Sequence, residues 1–458
     1  VPLTVVVEEA NLRTIRLGGG MRLDELRLSF GLRASWENRN FLGGMRHLAV
    51  EARPGVALFP TRIGIFEWIR FLPQFRLNTR LRQPSFLEGR TTGFIEGEYG
   101  VFPVLYPIDT ELSRAEIKSG EPVLGYHAVT TEAGVERSFW MHRLFVRPSY
   151  HWQANFPFYY REGSGVANKL EPIQVSFPEL FTRIGETFDN VGNLDQIRVS
   201  LSNSLQVAGY IFGGDVSDIR LKPELRTILV GVFGKRTEVG ARLGFGFLFP
   251  HGYGDKFDTS GTDGSDPSDP KTIEDQQTML FRAFYSGGPT SNRGYPFRGV
   301  GPTGPVGFLL PSAVTVNCPM VLSNANADPA ERAACTRPLG GKTLWEFSLE
   351  ARFPLSGPVG GVVFIDASDV TPYHLGSTDG EALRLNVPHI SPGVGLRYET
   401  PVGPLRLDLA YRVPGLQELG QPELSPQYGS PSGAADENFL GSYWLPLSLN
   451  FAIGESFD

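Results

Sequence analysis

Leu26-Arg27-Leu28-Ser29-Phe30-Gly31-Leu32-Arg33-Ala34-Ser35-Trp36 carries an apolar side chain at every even position and a polar residue or glycine at every odd one. Successive side chains of an extended chain point to opposite faces, so this period of two predicts a strand with one greasy and one polar face. A strand of this length rises roughly 35 Å, more than the mean strand of a globular protein. The signature recurs: Trp345, Phe347, Leu349, Ala351 and Phe353 alternate with Glu346, Ser348, Glu350 and Arg352. Leu405 to Arg412 repeats it, and Leu445 to Ile453 carries a further copy. In a soluble sandwich the apolar faces would meet a core; in a membrane barrel they would meet lipid, with the polar faces lining a wet lumen. Alternation fits both. Aromatics at strand ends, Trp36, Tyr398, Tyr411, Trp444 and Phe457, suit an interfacial girdle, although aromatics are common in strands generally.

Composition agrees with an all-β chain. Among 458 residues there are 54 Gly, 36 Pro, 32 Phe and 15 Tyr, a mixture of turn formers and strand-favouring aromatics. A hydrophobic fraction of 41% with 20% charged residues is enough to fold, and the net charge of -7 with no basic stripe argues against a nucleic-acid partner. No run of 18 or more apolar residues exists, which excludes a transmembrane helix but not a barrel, whose strands need only about 9–11 residues. Val1 is neither an initiator Met nor the start of a signal peptide, so the N-terminus of a longer parent is expected to be missing.

Connections come in two sizes. Ser356-Gly357-Pro358 and Pro401-Val402-Gly403-Pro404 read as tight turns, whereas Gly252 to Asp275 and Thr303 to Lys342 read as long polar loops. Short turns at one rim and long loops at the other are what a membrane barrel shows. The acidic tract Asp263 to Pro270 lacks the ligand order of an EF-hand and reads as a solvated loop, with no metal expected. Ile63 to Leu72 and Pro178 to Asp189 fit a short helix or a strand equally. Cys318 and Cys335 have no CxxC or Cys/His spacing, so zinc is not expected; they are either a loop-closing disulfide in an oxidising compartment or two unpaired thiols in a reducing one.

Phe281 to Pro302 reads FRAFYSGGPTSNRGYPFRGVGP. This stretch resembles the signature of the BamA/TamA superfamily of outer-membrane protein assembly and translocation barrels: an aromatic-rich strand end, a Gly-Gly step, an Arg-Gly-aromatic motif and Gly-Pro. The matching residues are Arg293, Gly294 and Tyr295, with Asn292 where the family usually has Val or Ile. Other parts are similar to the same family. Val1 to Glu9 resembles the last strand of a periplasmic POTRA domain, and Ile15 to Gly20 with Trp36 to Gly44 resembles the first barrel hairpin of the TamA-like branch. Gly393 to Asp408 resembles the penultimate hairpin. Leu447, Leu449, Phe451 and Ile453, then Gly454 and Phe457, resemble an outer-membrane insertion signal, with Asp458 one residue beyond the usual terminal aromatic.

The resemblance implies a closed antiparallel transmembrane β-barrel of 16 strands over residues 11–458, preceded by the end of a POTRA-like domain over 1–10. It also implies long extracellular loops, one of which folds into the lumen. It places Arg293 inside, paired with Glu350 and Asp366, and it implies a Cys318–Cys335 disulfide. Physics supports the residue types: a confined Arg needs carboxylates that fit its fork, Gly permits a sharp tip, and Tyr can pack while its hydroxyl stays bonded. Glu350 has the right parity; Asp366 shares its phase with apolar Val362 and Phe364.

The expected function is insertion or export of client proteins through a lateral seam between the first strand, around Arg13 to Met21, and the last, around Leu445 to Phe457. Gly18, Gly19 and Gly20 weaken the first strand, Pro446 removes a ladder donor from the last, and Gly454 and Phe457 complete the seam. An ordinary turn or bulge is the bland alternative for the glycines. Expected partners are outer-membrane lipid and lipopolysaccharide, client outer-membrane proteins or passengers, and periplasmic or inner-membrane accessory proteins. The location is the outer membrane of a Gram-negative-type bacterium, and no cofactor is expected. No GxSxG or HExxH is present and the seven His are scattered, so no enzyme is expected. The alternatives are a dedicated passenger-secretion pore of the same fold or a solute porin.

Overall fold

The structure, a computed structural model, describes residues 11–23, 27–59, 70–105, 123–139, 144–159, 175–176, 179–189, 197–209, 216–231, 237–257, 269–306, 309, 320, 337–386, 388–400, 403–413 and 447–454. Among them the chain forms β1 (Arg13–Leu23), β2 (Leu28–Asn38), β3 (His47–Phe59), β4 (Arg70–Gln83), β5 (Thr91–Pro103), β6 (Leu124–Phe139), β7 (Leu144–Tyr159), β8 (Val175–Ser176), β9 (Glu179–Asp189) and β10 (Ile197–Ala208). The second part holds β11 (Ser217–Val230), β12 (Glu238–His251), helix α1 (Pro270–Arg282), β13 (Thr303–Gly304), β14 (Arg337–Pro338), β15 (Thr343–Ser356), β16 (Val359–Thr371), β17 (His389–Thr400), β18 (Gly403–Tyr411) and β19 (Leu447–Gly454).

Seventeen strands join one antiparallel sheet, while β13 and β14 pair separately. Pairing follows chain order, with β7 passing to β9 and β12 to β15 across the intervening segments. The last strand also meets the first, over four residue pairs from Gly20↔Gly454 to Leu23↔Phe451. No helix among the described residues is long and apolar enough to cross a membrane.

The period of two sorts the side chains. Ile15, Leu17, Leu32, Phe71, Ile95, Leu349, Val363, Ile365, Val394 and Leu396 are exposed on the outer face. The inner face carries ion pairs instead: Arg33 meets Glu51 at 2.6 Å, Arg147 bridges Glu96 and Glu132 at 3.1 Å each, and Arg397 meets Asp408 at 2.6 Å. Apolar outside and charged inside is the inverse of a soluble sheet. By strand order, a short-turn rim joins β2 to β3 through eight residues, β4 to β5 through seven and β15 to β16 through Gly357-Pro358. At the opposite, long-loop rim twenty residues separate β5 from β6, 91 separate β12 from β15 and 17 separate β16 from β17, although only four separate β1 from β2.

Two expectations change, and two readings left open are settled. Gly252 to Asp275 is not simply a polar loop, because α1 begins within it: the Asp269 side chain caps the helix by accepting from the Lys271 amide, and Pro270 fits the first turn. For the same reason Phe281 and Arg282 end a helix and not a strand. Pro178 to Asp189 is resolved as a strand from Glu179, and Ile63 to Leu72 as a strand from Arg70, with 63–69 outside the described residues. The POTRA-like segment 1–10, the tract 263–268, Cys318, Cys335, Trp444, Pro446 and Phe457 also lie outside the described residues.

The main apolar cluster lies toward the long-loop rim, where Met279 and Leu280 of α1 join Leu248, Phe257, Phe284, Tyr295, Val300, Leu344 and Val370. The connection between β12 and β15 therefore supplies the interior with its core.

Candidate functional site

After α1 the chain turns inward in steps, each fixed by polar contacts. Arg282, the last residue of the helix, grips Asp218 of β11 through two nitrogens, and the Tyr253 hydroxyl donates to the same carboxylate at 2.7 Å. Phe284 bridges to Gly341, and Ser286 bridges to Val300 to close the neck of the tip. Gly287 and Gly288 have φ of 103° and 101°, values that L side chains rarely adopt, so glycine is required at this reversal. The Gly288 amide then donates to the Tyr295 carbonyl at 2.9 Å, which makes 288–295 a compact knot.

Arg293 sits on this knot and is 4% exposed. Its Nε donates to Asp366 Oδ2 at 2.7 Å, its Nη2 to Asp366 Oδ1 at 2.9 Å, and its Nη1 to Glu350 Oε2 at 2.6 Å. The Arg293 amide adds a bond to Asp366 at 3.1 Å. Burial alone would lower the guanidinium pKa, but bonding and attraction from Asp366 and Glu350 hold it above its usual value. Sheet register brings the two acids together: Ser348 lies opposite Asp366 and Glu350 opposite Phe364, so all four share the inner face. Ser348 donates to Asp366 at 2.7 Å and Arg352 to Glu350 at 2.6 Å, completing the carboxylates' shells.

The apolar phase around Asp366 has a physical explanation. Phe364 and Val362 are buried on the inner face, and the Arg293 guanidinium lies 3.4 Å from the centre of the Phe364 ring. A planar cation can be stacked and bonded at its edge at once, so an aromatic neighbour belongs beside its carboxylate.

Sequence alone did not single out several further contacts. Asn292 is buried and donates to Ser368 at 3.0 Å and to the His389 carbonyl at 2.7 Å, while its own oxygen accepts from Ser391. The Gly294 amide donates to Ser391 at 3.1 Å, and a Cβ on Gly294 would collide with that serine. Arg412 donates to the Gly294 carbonyl at 3.0 Å, and Asn450 of β19 donates to the Arg293 carbonyl at 3.1 Å. The only available signal was parity, which places Ser391 and Asn450 on the polar faces of their strands. Tyr295 is buried edge-on against His389, with ring centres 5.3 Å apart, and Arg412 lies 5.0 Å from its ring. Its hydroxyl, expected to be bonded, has no partner among the described residues: the ring is seated by packing instead. Burial pushes the phenol pKa up, so it stays neutral.

A cavity of about 460 Å³ adjoins the knot, lined by Arg226, Arg242, Glu350, Arg352 and Arg406 among others. Toward the seam, Gly18, Gly19 and Gly20 pair across to Arg33, Leu32 and Gly31 of β2. On the other edge of β1 only Gly20 to Leu23 meet β19 among the described residues.

A buried cation clamped by two strands, a chain segment folded against the charged face and an apolar opposite face together define a large antiparallel sheet of the membrane-protein type. Residues 197–457 match the model of the Omp85 superfamily domain, and the chain belongs to that superfamily of outer-membrane β-barrel proteins. BamA from Haemophilus ducreyi lacking POTRA domains 1–3 is similar in fold, with a TM-score of 0.53, 13% identity, and coverage of 97% of this chain and 70% of that one. CdiB from Acinetobacter baumannii gives a TM-score of 0.54 at 9% identity, covering 97% of this chain and 60% of that one. CdiB from Escherichia coli gives 0.50 at 10% identity, covering 95% and 62%. No curated protein matches the sequence. Similarity to BamA and CdiB leaves the preference for a TamA-like branch, drawn from the first hairpin, untested.

Proposed function

We propose that the chain is a protein assembly or translocation barrel: a closed cylinder of sixteen long strands that opens between β1 and β19 and admits client proteins, without covalent chemistry. The short-turn rim faces the periplasm and the long connections face outward. The observation that carries this is that the first and last strands meet, with the Gly18 to Gly20 run on the β1 side of the junction. Among the described residues eleven pairs join β1 to β2 and four join β1 to β19, where Gly20 meets Gly454, the last described residue. An unpaired stretch of strand edge presents N–H and C=O groups that can template a client strand. Parting β1 from β19 would supply such an edge, and Gly18 to Gly20 leave it weakly packed.

A steady solute pore fits the interior less well, because Tyr295, Phe257 and α1 occupy it with packed side chains. A secretion pore dedicated to one passenger would use the same seam; likeness of fold to CdiB favours keeping that second reading. Cysteines replacing Met21 and Ile453, which face each other across the seam, test the idea. The oxidised form should lose client insertion and regain it on reduction. Full activity of the locked form would exclude lateral opening.

A further inference from the structure

The short-turn rim beneath β2 to β6 carries a pattern that client handling does not use. The connection 39–46 presents Phe41, Leu42 and Met45 between Arg39 and Arg46; the connection 84–90 presents Phe86 and Leu87 beside Glu88 and Arg90. Leu42 is 78% exposed and Leu87 is 88% exposed. Leu42, Met45 and Leu87 also have positive φ, at 55°, 58° and 70°, a region where bulky side chains are disfavoured. In water such a leucine is penalised twice, in its backbone and in its exposed hydrocarbon. Transfer of the side chain into an apolar medium is what offsets both.

Both turns lean onto the outer wall. Arg46 Nε donates to the Gln83 side chain at 2.8 Å, and Gln83 donates to the Gly44 carbonyl at 3.2 Å, which ties the two turns together. The Phe86 ring covers Gly93, where an added Cβ would fall 2.9 Å from it. Gly93 has the parity of Ile95 and Tyr99, both exposed on the outer apolar belt. Arg137 pairs with Glu88 at 2.6 Å and lies 4.9 Å from the ring of Phe139, at the same level. The patch is thus continuous with the outer apolar belt and fringed by guanidinium groups, of which Arg39 is shared with Glu37 at 3.3 Å and Arg137 with Glu88. The β15–β16 turn, by contrast, is only Gly357-Pro358.

We propose that this patch anchors the barrel in the leaflet facing the short-turn rim by inserting Leu42, Met45, Phe86 and Leu87 among acyl chains while Arg39, Arg46 and Arg90 bind anionic phospholipid headgroups. The assignment rests on the membrane-barrel reading. Long cationic side chains reach from apolar surroundings to phosphate oxygens, and each contributes roughly fivefold to attraction by an anionic surface.

The full chain reconstituted in phosphatidylcholine vesicles, with and without phosphatidylglycerol, supplies the test, read by mass spectrometry of the lipid retained after extraction. Wild-type protein should enrich phosphatidylglycerol over the bulk. The variant R39Q/R46Q/R90Q should lose that enrichment, by on the order of a hundredfold if the three sites act independently, and R39K/R46K/R90K should largely keep it. Enrichment unchanged in the glutamine variant, or absent in wild type, overturns the assignment. Failure of wild-type protein to insert into either vesicle would remove the barrel reading and this assignment together.

Discussion

Replacing Arg293 with Met should release the internal knot while leaving the sheet standing. Three side-chain bonds vanish, at 2.7, 2.9 and 2.6 Å, together with stacking on Phe364. Breaking a buried pair by removing one partner typically costs about 3–5 kcal/mol, because the surviving charge is left desolvated. Asp366 keeps the Ser348 hydroxyl at 2.7 Å and the residue-293 amide at 3.1 Å, and Glu350 keeps Arg352 at 2.6 Å. The cost should therefore fall near the lower end, about 3 kcal/mol, which corresponds to roughly a hundredfold in an equilibrium constant. Hydrogen exchange of the amides of Gly288 and Tyr295, in protein held in vesicles, reads that opening directly. Their exchange should accelerate about a hundredfold while amides of β2 to β6 stay protected. Adding Asp366→Asn should cost less than the sum of the two single changes, by roughly 1–3 kcal/mol, since each removes the same interaction. Arg293→Met changing exchange by no more than the ~0.5 kcal/mol of an ordinary surface substitution would refute the clamp.

Other perturbations probe the neighbouring contacts. Asn292→Val, which installs a residue usual in the family, should destabilise the knot by about 1–3 kcal/mol because Ser368, Ser391 and the His389 carbonyl lose a buried partner; urea unfolding in vesicles measures it, and a stabilised variant would contradict the polar socket. Gly294→Ala should cost about 1–3 kcal/mol through collision with Ser391, and Ser391→Gly should recover much of it in the same unfolding assay. Arg282→Met should strand Asp218 and loosen α1 by about 3 kcal/mol, visible as faster protease cutting between 252 and 282 with no change in the cutting of 286–300.

Strands were legible because one face of each meets lipid or exterior and the other a charged interior, so a one-residue slip would invert every side chain. Glu350 was legible for that reason. Asp366 was harder, since Val362 and Phe364 share its face; the inner wall turns apolar where the knot rests on it, and no local pattern announces what a segment seventy residues away will cover. Helix α1 was hidden for a related cause. Its buried side includes Thr272, Asp275 and Gln276, so a helical stripe exists but is not apolar. The Asp269-Pro270 start was visible as a cap only once a helix was in view. Asn292 departs from the family pattern, and its meaning lies in three partners contributed by β16 and β17, far away in sequence.

The bond from Asn450 to the Arg293 carbonyl has a mechanical corollary. A pull on β19 is shared at once among β18, the knot and, through Arg293, the two strands holding Asp366 and Glu350. A pull on β1 is borne by its long ladder to β2, three of whose rungs are glycines on the β1 side. Load on the last strand is thus spread across the inner wall through the knot and is not carried by its ladders alone.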